Sequence, residues 1–585
     1  MANKNTLIIK TVALPNATSK QVRLLYDIRN HFSPGEASLK AEIIKDLSQR
    51  PFSNAKDIFL YHEALCFMQA YPDNPAIGRL VDNELNEFGK RIERFKEHRP
   101  KNTEHDDTGM VNTAIYYPYN YPMALWLSRN YGKDIEIDWE TYREKESDPL
   151  LGLLSLFALY SENDAIDDEE RGTIHWIKTS ADFVDKNTLR WLLNSIGHLN
   201  ISEDTQQYLY DNAELLLKWN LGTSKAARTM AKLPEQSIYY QKSTIKKSRI
   251  DLAKSIKKPA PAMKLLPGKS ADLIIETLTY ALLPRHRELY PLTYANRNEI
   301  YEIAPGRGLK IYFLGMKSEN RLPLEADYSA LLIKNGVPIG YGISVVFIDR
   351  CEIALNIFDT FRSGEASYIF EQFVRVFYHH FGARNFIMRK YQVGHENDEG
   401  IKSGAYWFYY KMGFRSLDPQ IDRLAHDEWL KIVSDKSYRS DAKTLKRLAH
   451  SDLHWTSSPK MNKSFQELAV TDIGYALTKS ISSKFGGNRE KALQWSVRHI
   501  KSAINMRLED HLSNSEQLQI RRFAPLIALI PDLKNWSQKD KTTLIEIIKA
   551  KAATREIDYV KKLQGHKRLY KGLWDLVRIN QKATV

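Results

Sequence analysis

Cysteine is almost absent: the 585 residues hold two, Cys66 and Cys351, far apart in sequence. Two thiols cannot build a disulfide framework or a thiolate zinc site, and they fit a reducing cytoplasm. Long apolar runs are missing as well. The longest, 150–160, covers about half of the ~20 residues that a membrane helix needs, and residues 1–15 lack the uninterrupted apolar core of a secretory signal. The expectation is a soluble, cytoplasmic chain with no membrane span. No repeat of fixed period is visible, so a solenoid is only a weak alternative for the N-terminal block, residues 20 to about 230. With 43% apolar and 27% charged residues, the composition also excludes a collagen-like or largely disordered chain. Its length predicts about two to four folded domains.

Two nucleotide-binding motifs fail on inspection. Gly268-Lys269-Ser270 has the tail of a phosphate-binding loop, but Met263 stands where the obligatory first glycine belongs. Gly340-Tyr341-Gly342 lies inside a strand-like run and ends in Val345, which does not make a dinucleotide fingerprint.

What the sequence has in excess is positive charge, and it is localised. The net charge is +14, and residues 421–585 hold 31 Lys and Arg against 18 Asp and Glu. Residues 240–270 hold nine Lys or Arg and one acid. Such a pattern suggests an anionic partner, whether nucleic acid, an acidic protein or a membrane surface. The competing explanation is that a Lys-rich face keeps a helical domain soluble.

Periodicity divides the chain. Up to about residue 230 the apolar spacing is helical, as in Leu80, Leu85, Phe88, Ile92 and Phe95, which predicts a helical N-terminal domain over 1–239. Turn-rich breaks fall at Ser33-Pro34-Gly35, at Tyr71-Pro72-Asp73-Asn74-Pro75 and over 98–109. The run from Ile115 to Pro122, with four tyrosines and two prolines, cannot continue a helix and reads as an aromatic wedge or a recognition surface. Residues 240–270, with Lys257-Lys258-Pro259-Ala260-Pro261-Ala262, read as a Lys-rich linker.

The pattern over 271–420 is mixed. Ala326–Lys334 and Val337–Phe347 are strand-like runs joined by Asn335-Gly336, the dipeptide suited to a two-residue hairpin turn. A third strand over 351–358 follows. An amphipathic helix from Ser363-Gly364-Glu365-Ala366 to His380 then puts Ile369, Phe370, Phe373, Val374 and Phe377 on its inner face, ahead of a strand over 385–390. From 421 to 585 the expectation is a basic helical domain, with Leu544, Ile547, Ile548, Ile557, Val560, Leu569, Leu573 and Leu576 at helical spacing. The fold class expected is α+β and multidomain.

Two motifs carry a resemblance. Ser403-Gly404-Ala405-Tyr406-Trp407-Phe408-Tyr409-Tyr410-Lys411-Met412-Gly413-Phe414 resembles the second conserved motif of the GNAT (N-acetyltransferase) superfamily, an aromatic-Tyr-x-x-x-Gly-Phe signature. Gly364-x-Ala366 resembles the end of that superfamily's acyl-CoA pyrophosphate loop. The likeness covers about residues 273–418, a quarter of the chain, and makes 271–420 a GNAT-like domain. It implies an acyl-CoA-dependent N-acyltransferase that uses acetyl-CoA or another acyl-CoA and acts on an amine. It also implies a co-substrate turn made by Phe358, Arg362, Ser363, Gly364, Glu365 and Ala366. Tyr409 would be the acid for the leaving thiolate and Glu352 the base for the incoming amine. The loop over 391–400, with His395, Glu396 and Asp398, would border the acceptor.

Physical chemistry explains these residue types. A glycine at a strand-to-helix turn lets backbone N–H groups converge on a diphosphate, and acyl transfer needs a base, oxyanion donors and an acid. The sequence also departs from the pattern. Phe361 stands where Gln or Arg is usual, and Glu365 adds a negative charge that disfavours CoA. Each candidate has a structural alternative: a packed aromatic helix face for Tyr409, a solvent-facing strand residue for Glu352, and a helix-capping turn for His395, Glu396 and Asp398. No metal site is expected, because His395 and Glu396 lack companion ligands. The alternative to an enzyme is a catalytically silent GNAT-like scaffold or nucleic-acid-associated binding protein.

Overall fold

The computed structural model describes residues 17–97, 99, 103–142, 149–166, 171–182, 187–243, 245, 250–457, 467–504 and 512–582. Residues 1–15, part of the break over 98–109, and Lys246, Lys247 and Arg249 of the Lys-rich stretch lie outside the described residues. The chain is α+β and divides into two compact units. One comprises 1–245, 276–293 and 334–338; the other comprises 246–275, 294–333 and 339–585. Among the described residues no helix is long and apolar enough to cross a membrane.

In the first unit the turn-rich breaks become helix starts. Ser33 caps Pro34–Ser48 in a reciprocal box with Glu36, and Asn74 accepts from the N–H groups of Ala76 and Ile77, both at 3.0 Å, to open Pro75–Asn86. Proline stands in the first turn of both helices, where its missing N–H leaves no bond unmade. Leu85, Phe88, Ile92 and Phe95 are buried.

This unit is not all-helical, which corrects the expectation for the N-terminal block. Strands β1 (Ala114–Tyr117), β2 (Ile135–Ile137) and β3 (Leu217–Asn220) form an antiparallel sheet in the order β1-β3-β2, with Trp219 fully buried at its centre. The tyrosine-proline run supplies β1 and then the start of the helix Tyr121–Tyr131, capped by Asn120. Strands of three or four residues are too short to show a period of two among helical neighbours.

The second unit is built on a nine-stranded mixed sheet. Its strands are β4 (Met263–Leu265), β5 (Ala295–Gly306), β6 (Leu309–Met316), β7 (Ala326–Lys334), β8 (Val337–Phe347), β9 (Arg350–Ile357), β10 (Asn385–Met388), β11 (Arg415–Ser416) and β12 (Leu453–Thr456). They lie in the order β11-β12-β10-β9-β8-β7-β6-β5-β4. Within the stretch read as a linker, Leu252–Ser255 is a short helix and β4 pairs antiparallel with β5. A second correction concerns the C-terminal part, which is not purely helical: β12 pairs with both β10 and β11.

β9 and β10 run parallel and are joined by the helix Ala366–His379, which buries Ile369, Phe370, Phe373, Val374 and Phe377 as its pattern predicts. The glycine pair of β8 has a packing reason. A Cβ on Gly342 would stand 2.8 Å from the ring of Phe373 on that helix.

Candidate functional site

The candidate site starts where β9 and β10 part. Their parallel pairing runs from Arg350 to Glu352 against Asn385 to Ile387, and no pairing between them continues along β9 to Ile357. The chain then makes a tight turn. The N–H of Phe361 donates to the Phe358 carbonyl at 2.8 Å, and the N–H of Gly364 donates to the Phe361 carbonyl at 2.8 Å. Phe358 and Phe361 are buried, so the ring at the expected Gln or Arg position is part of the core. The Ser363 hydroxyl is buried without a hydrogen-bond partner. The helix opens at Ala366, and the N–H groups of its first turn have no acceptor inside the helix.

Electrostatics at this turn are balanced against an anion. Glu365 does not cap the helix; its nearly inaccessible carboxylate accepts from Arg307 at 3.0 Å. Arg307 and Gly308 form the two-residue turn between β5 and β6, both with positive φ, +56° and +70°. The half-exposed guanidinium of Arg307 lies 4.7 Å from the Tyr368 ring centroid. Arg362 pairs with Asp359 at 2.7 Å and with Glu399. Two cations therefore meet three carboxylates.

Glu352 sits in an ion cluster at the paired end of the two strands. Its Oε1 accepts from Arg350 and from Arg389. Arg350 also pairs with Glu325 at 2.6 Å and Glu467 at 2.9 Å, and Arg389 pairs with Glu467 at 2.7 Å and Asp452 at 2.8 Å. Both hydrogen bonds to Glu352 use one oxygen, Oε1. Burial works against the Arg389 charge, but the surrounding carboxylates outweigh it and hold the guanidinium firmly protonated.

Tyr409 lies on the helix Ala405–Lys411, buried among the rings of Phe408, Phe370 and Phe414 at centroid distances of 5.1, 5.4 and 5.9 Å. Burial alone pushes its phenol well above the ordinary value, so it stays protonated at neutral pH. The contacts of Tyr409 are aromatic and those of Glu352 are ionic; the two residues belong to separate clusters.

The loop over 391–400 is a compact turn. Gly394 has φ of +120°, and a Cβ there would stand 2.4 Å from Ile401. Asn397 caps the helix Asp398–Ser403 by accepting from the Gly400 N–H at 3.2 Å. The His395 ring lies 5.1 Å from that of His450. Asp398 is 3.9 Å from Lys446, while Glu396 points to solvent.

Arg307, Arg389, Asp452 and Glu467 are charged groups at these positions that the sequence reading left unassigned. Only Arg307 carried a local signal, the Pro305-Gly306-Arg307-Gly308 turn. Among the described residues no group of three or more His, Cys, Asp or Glu is placed to hold a metal ion. No family model, no curated protein and no solved structure matches the chain.

Proposed function

We propose that the region around 271–420 is a GNAT-like module that binds acyl-CoA and transfers its acyl group to an amine. The observation that carries this reading is the parting of β9 and β10 beyond Glu352, above a strand-to-helix turn with a buried, unpartnered Ser363 hydroxyl. A thioester arm can lie along the open edge of β9, and its diphosphate can meet the first-turn N–H groups at Ala366 with Arg307 and Arg362 beside them. The amine nitrogen attacks the thioester carbonyl, a C–N bond forms and the C–S bond breaks. The proton leaving nitrogen goes to Glu352 Oε2, and the departing thiolate takes the Tyr409 proton. His395, Glu396 and Asp398 border the acceptor.

Calorimetry and thermal shift with acetyl-CoA test this on the full chain. Binding to the folded state alone stabilises by about 2.7 kcal/mol at a hundredfold excess over Kd, and Gly364→Val should abolish it. No heat and no shift with the unmodified chain discards the reading.

A second reading, a catalytically silent GNAT-like module, is favoured by the excess of carboxylates over cations at the turn and by the double arginine hold on Glu352. Binding of acetyl-CoA without acylation of any amine in a broad panel would select it.

A further inference from the structure

The last described helix of the second unit carries an arrangement that the acyltransferase reading does not use. Lys567–Lys582 buries Leu569, Leu573, Leu576 and Val577 on one side. On the opposite side, Lys567, Lys571, Trp574 and Arg578 follow one another at three- and four-residue steps, which puts them in one stripe along the helix. Tyr570 flanks the stripe, 37% exposed, with its ring 6.4 Å from that of Trp574 and edge-on to it. The Arg578 guanidinium lies 5.4 Å from the Trp574 ring centroid.

The cations of this face are largely uncommitted. Lys571 is matched by Asp575 at 2.5 Å, but Lys567, Arg568 and Arg578 face solvent with no carboxylate partner among the described residues. On the preceding helix, Glu556–Gly565, Lys562 pairs with Glu546 at 2.8 Å, whereas exposed Lys561 adds a further cation without one. The helix Val470–Phe485 packs against the C-terminal helix and repeats the chemistry: Tyr475 is 59% exposed, and Lys479 stands 5.7 Å from its ring centroid.

A face built only for solubility needs charge and no exposed rings. A face built for an acidic protein needs cations. Tyr570 is exposed and Trp574 partly so, and rings reachable between arginine and lysine add one capability, stacking on flat unsaturated rings that arrive attached to anions. That combination matches single-stranded nucleic acid, whose unpaired bases stack on aromatic side chains while its phosphates meet the cations. We propose that the stripe Lys567, Tyr570, Lys571, Trp574 and Arg578 binds single-stranded nucleic acid with little sequence preference. The proposal is independent of the acyl-CoA reading.

Fluorescence anisotropy of the full chain with a labelled oligothymidylate, titrated over a range of salt, is the test. With about four phosphate contacts, log K should fall against log salt with a slope of about 3 for a single strand. Tyr570→Leu and Trp574→Leu should each weaken binding about five- to a hundredfold at fixed salt, the scale of one stacked base, while Tyr570→Phe and Trp574→Phe keep most of it. Lys567→Gln with Arg578→Gln should flatten the salt slope. Far-ultraviolet circular dichroism checks that each variant folds, and exposed Tyr570 gives a readout away from the core. Absence of binding at micromolar protein in low salt overturns the proposal. So does equal binding of polyglutamate with no response to the leucine variants, which would assign the face to an acidic protein. Tighter binding to the duplex than to the single strand would also overturn it.

Discussion

Asp327 offers the sharpest test of the energetics of the second unit. It lies on β7, almost wholly enclosed, and its Oδ1 has no hydrogen-bond partner. Burial pushes its carboxyl up to about 8, with Glu556, Glu325 and Glu352 adding to the rise and Lys551 opposing it. The folded chain therefore holds a proton there that the unfolded chain releases near pH 4. Where the folded state binds more protons, stability falls as pH rises. The stabilisation is fully present below the unfolded value and is lost up to the folded one, at about 1.4 kcal/mol per pH unit, or about 2.7 kcal/mol between pH 5 and 7.

Asp327→Asn keeps the shape of the protonated acid and removes its titration. The variant should match the parent near pH 4 and exceed it at pH 8 by at most about 5 kcal/mol. Glu299, raised to about 7 by burial, titrates in both proteins and cancels in the difference curve, whereas Lys551, whose charge acts on Asp327, is coupled to it and belongs to the measured difference. Because the chain has two units, hydrogen exchange of the β7 amides is a better readout than one melting temperature. An unchanged difference between the two proteins from pH 5 to 8 would refute the reasoning.

Three other substitutions probe the same unit. Arg321 is fully buried, donates to Glu299 at 3.3 Å and to the carbonyls of Lys551 and Ala553 at 2.7 and 2.6 Å, and stands 3.7 Å from Glu556. Arg321→Met should cost roughly 3–5 kcal/mol in denaturant titrations, because it strands buried carboxylates. If acyl transfer is observed, Tyr409→Phe and Glu352→Gln should each lower kcat by roughly 10²-fold with little change in acyl-CoA affinity, and unchanged turnover would remove both roles.

The sequence was most legible where local chemistry and tertiary structure agree. β7 and β8 fall on the two runs read as strands, and Asn335 and Gly336 adopt φ of +49° and +84°, as a two-residue hairpin turn requires. The helix between β9 and β10 buries the face its period marks. Legibility fails where an element is shorter than its period or a contact spans a long stretch of chain. β12 has four residues and joins the sheet beside β10, from which it is separated by four α-helices and β11. The partners of Glu352 include Arg389, and through it Asp452 and Glu467, and no spacing rule links them. Glu352 therefore read as a lone strand carboxylate, although it belongs to a cluster of charges.

Charge counting shows the same division in a form that bears on function. Pairing within the segment removes equal numbers of cations and anions, so the surplus of 31 over 18 in residues 421–585 is left for solvent, for backbone carbonyls such as that of Lys534 beside Lys541, or for carboxylates elsewhere in the chain such as Asp398 beside Lys446. Lys551 and Glu556, both fully buried and 2.5 Å apart, illustrate this: their loss from the surface leaves the surplus intact. Composition thus sets the sign of the surface but not the place. The place is fixed by the helix Lys567–Lys582, whose leucine face turns inward and leaves Lys567, Arg568 and Arg578 outside. At the turn before Ala366 the opposite holds, since Arg307 and Arg362 are matched by nearby carboxylates and the count carries no signal. An anion bound there would be held mainly by backbone N–H groups, because the flanking Arg307 and Arg362 are already engaged by carboxylates, and its affinity should depend only weakly on salt. An anion on the C-terminal helix should be released by salt. One ionic-strength series on the full chain, with acetyl-CoA and an oligonucleotide measured side by side, separates the two proposed sites.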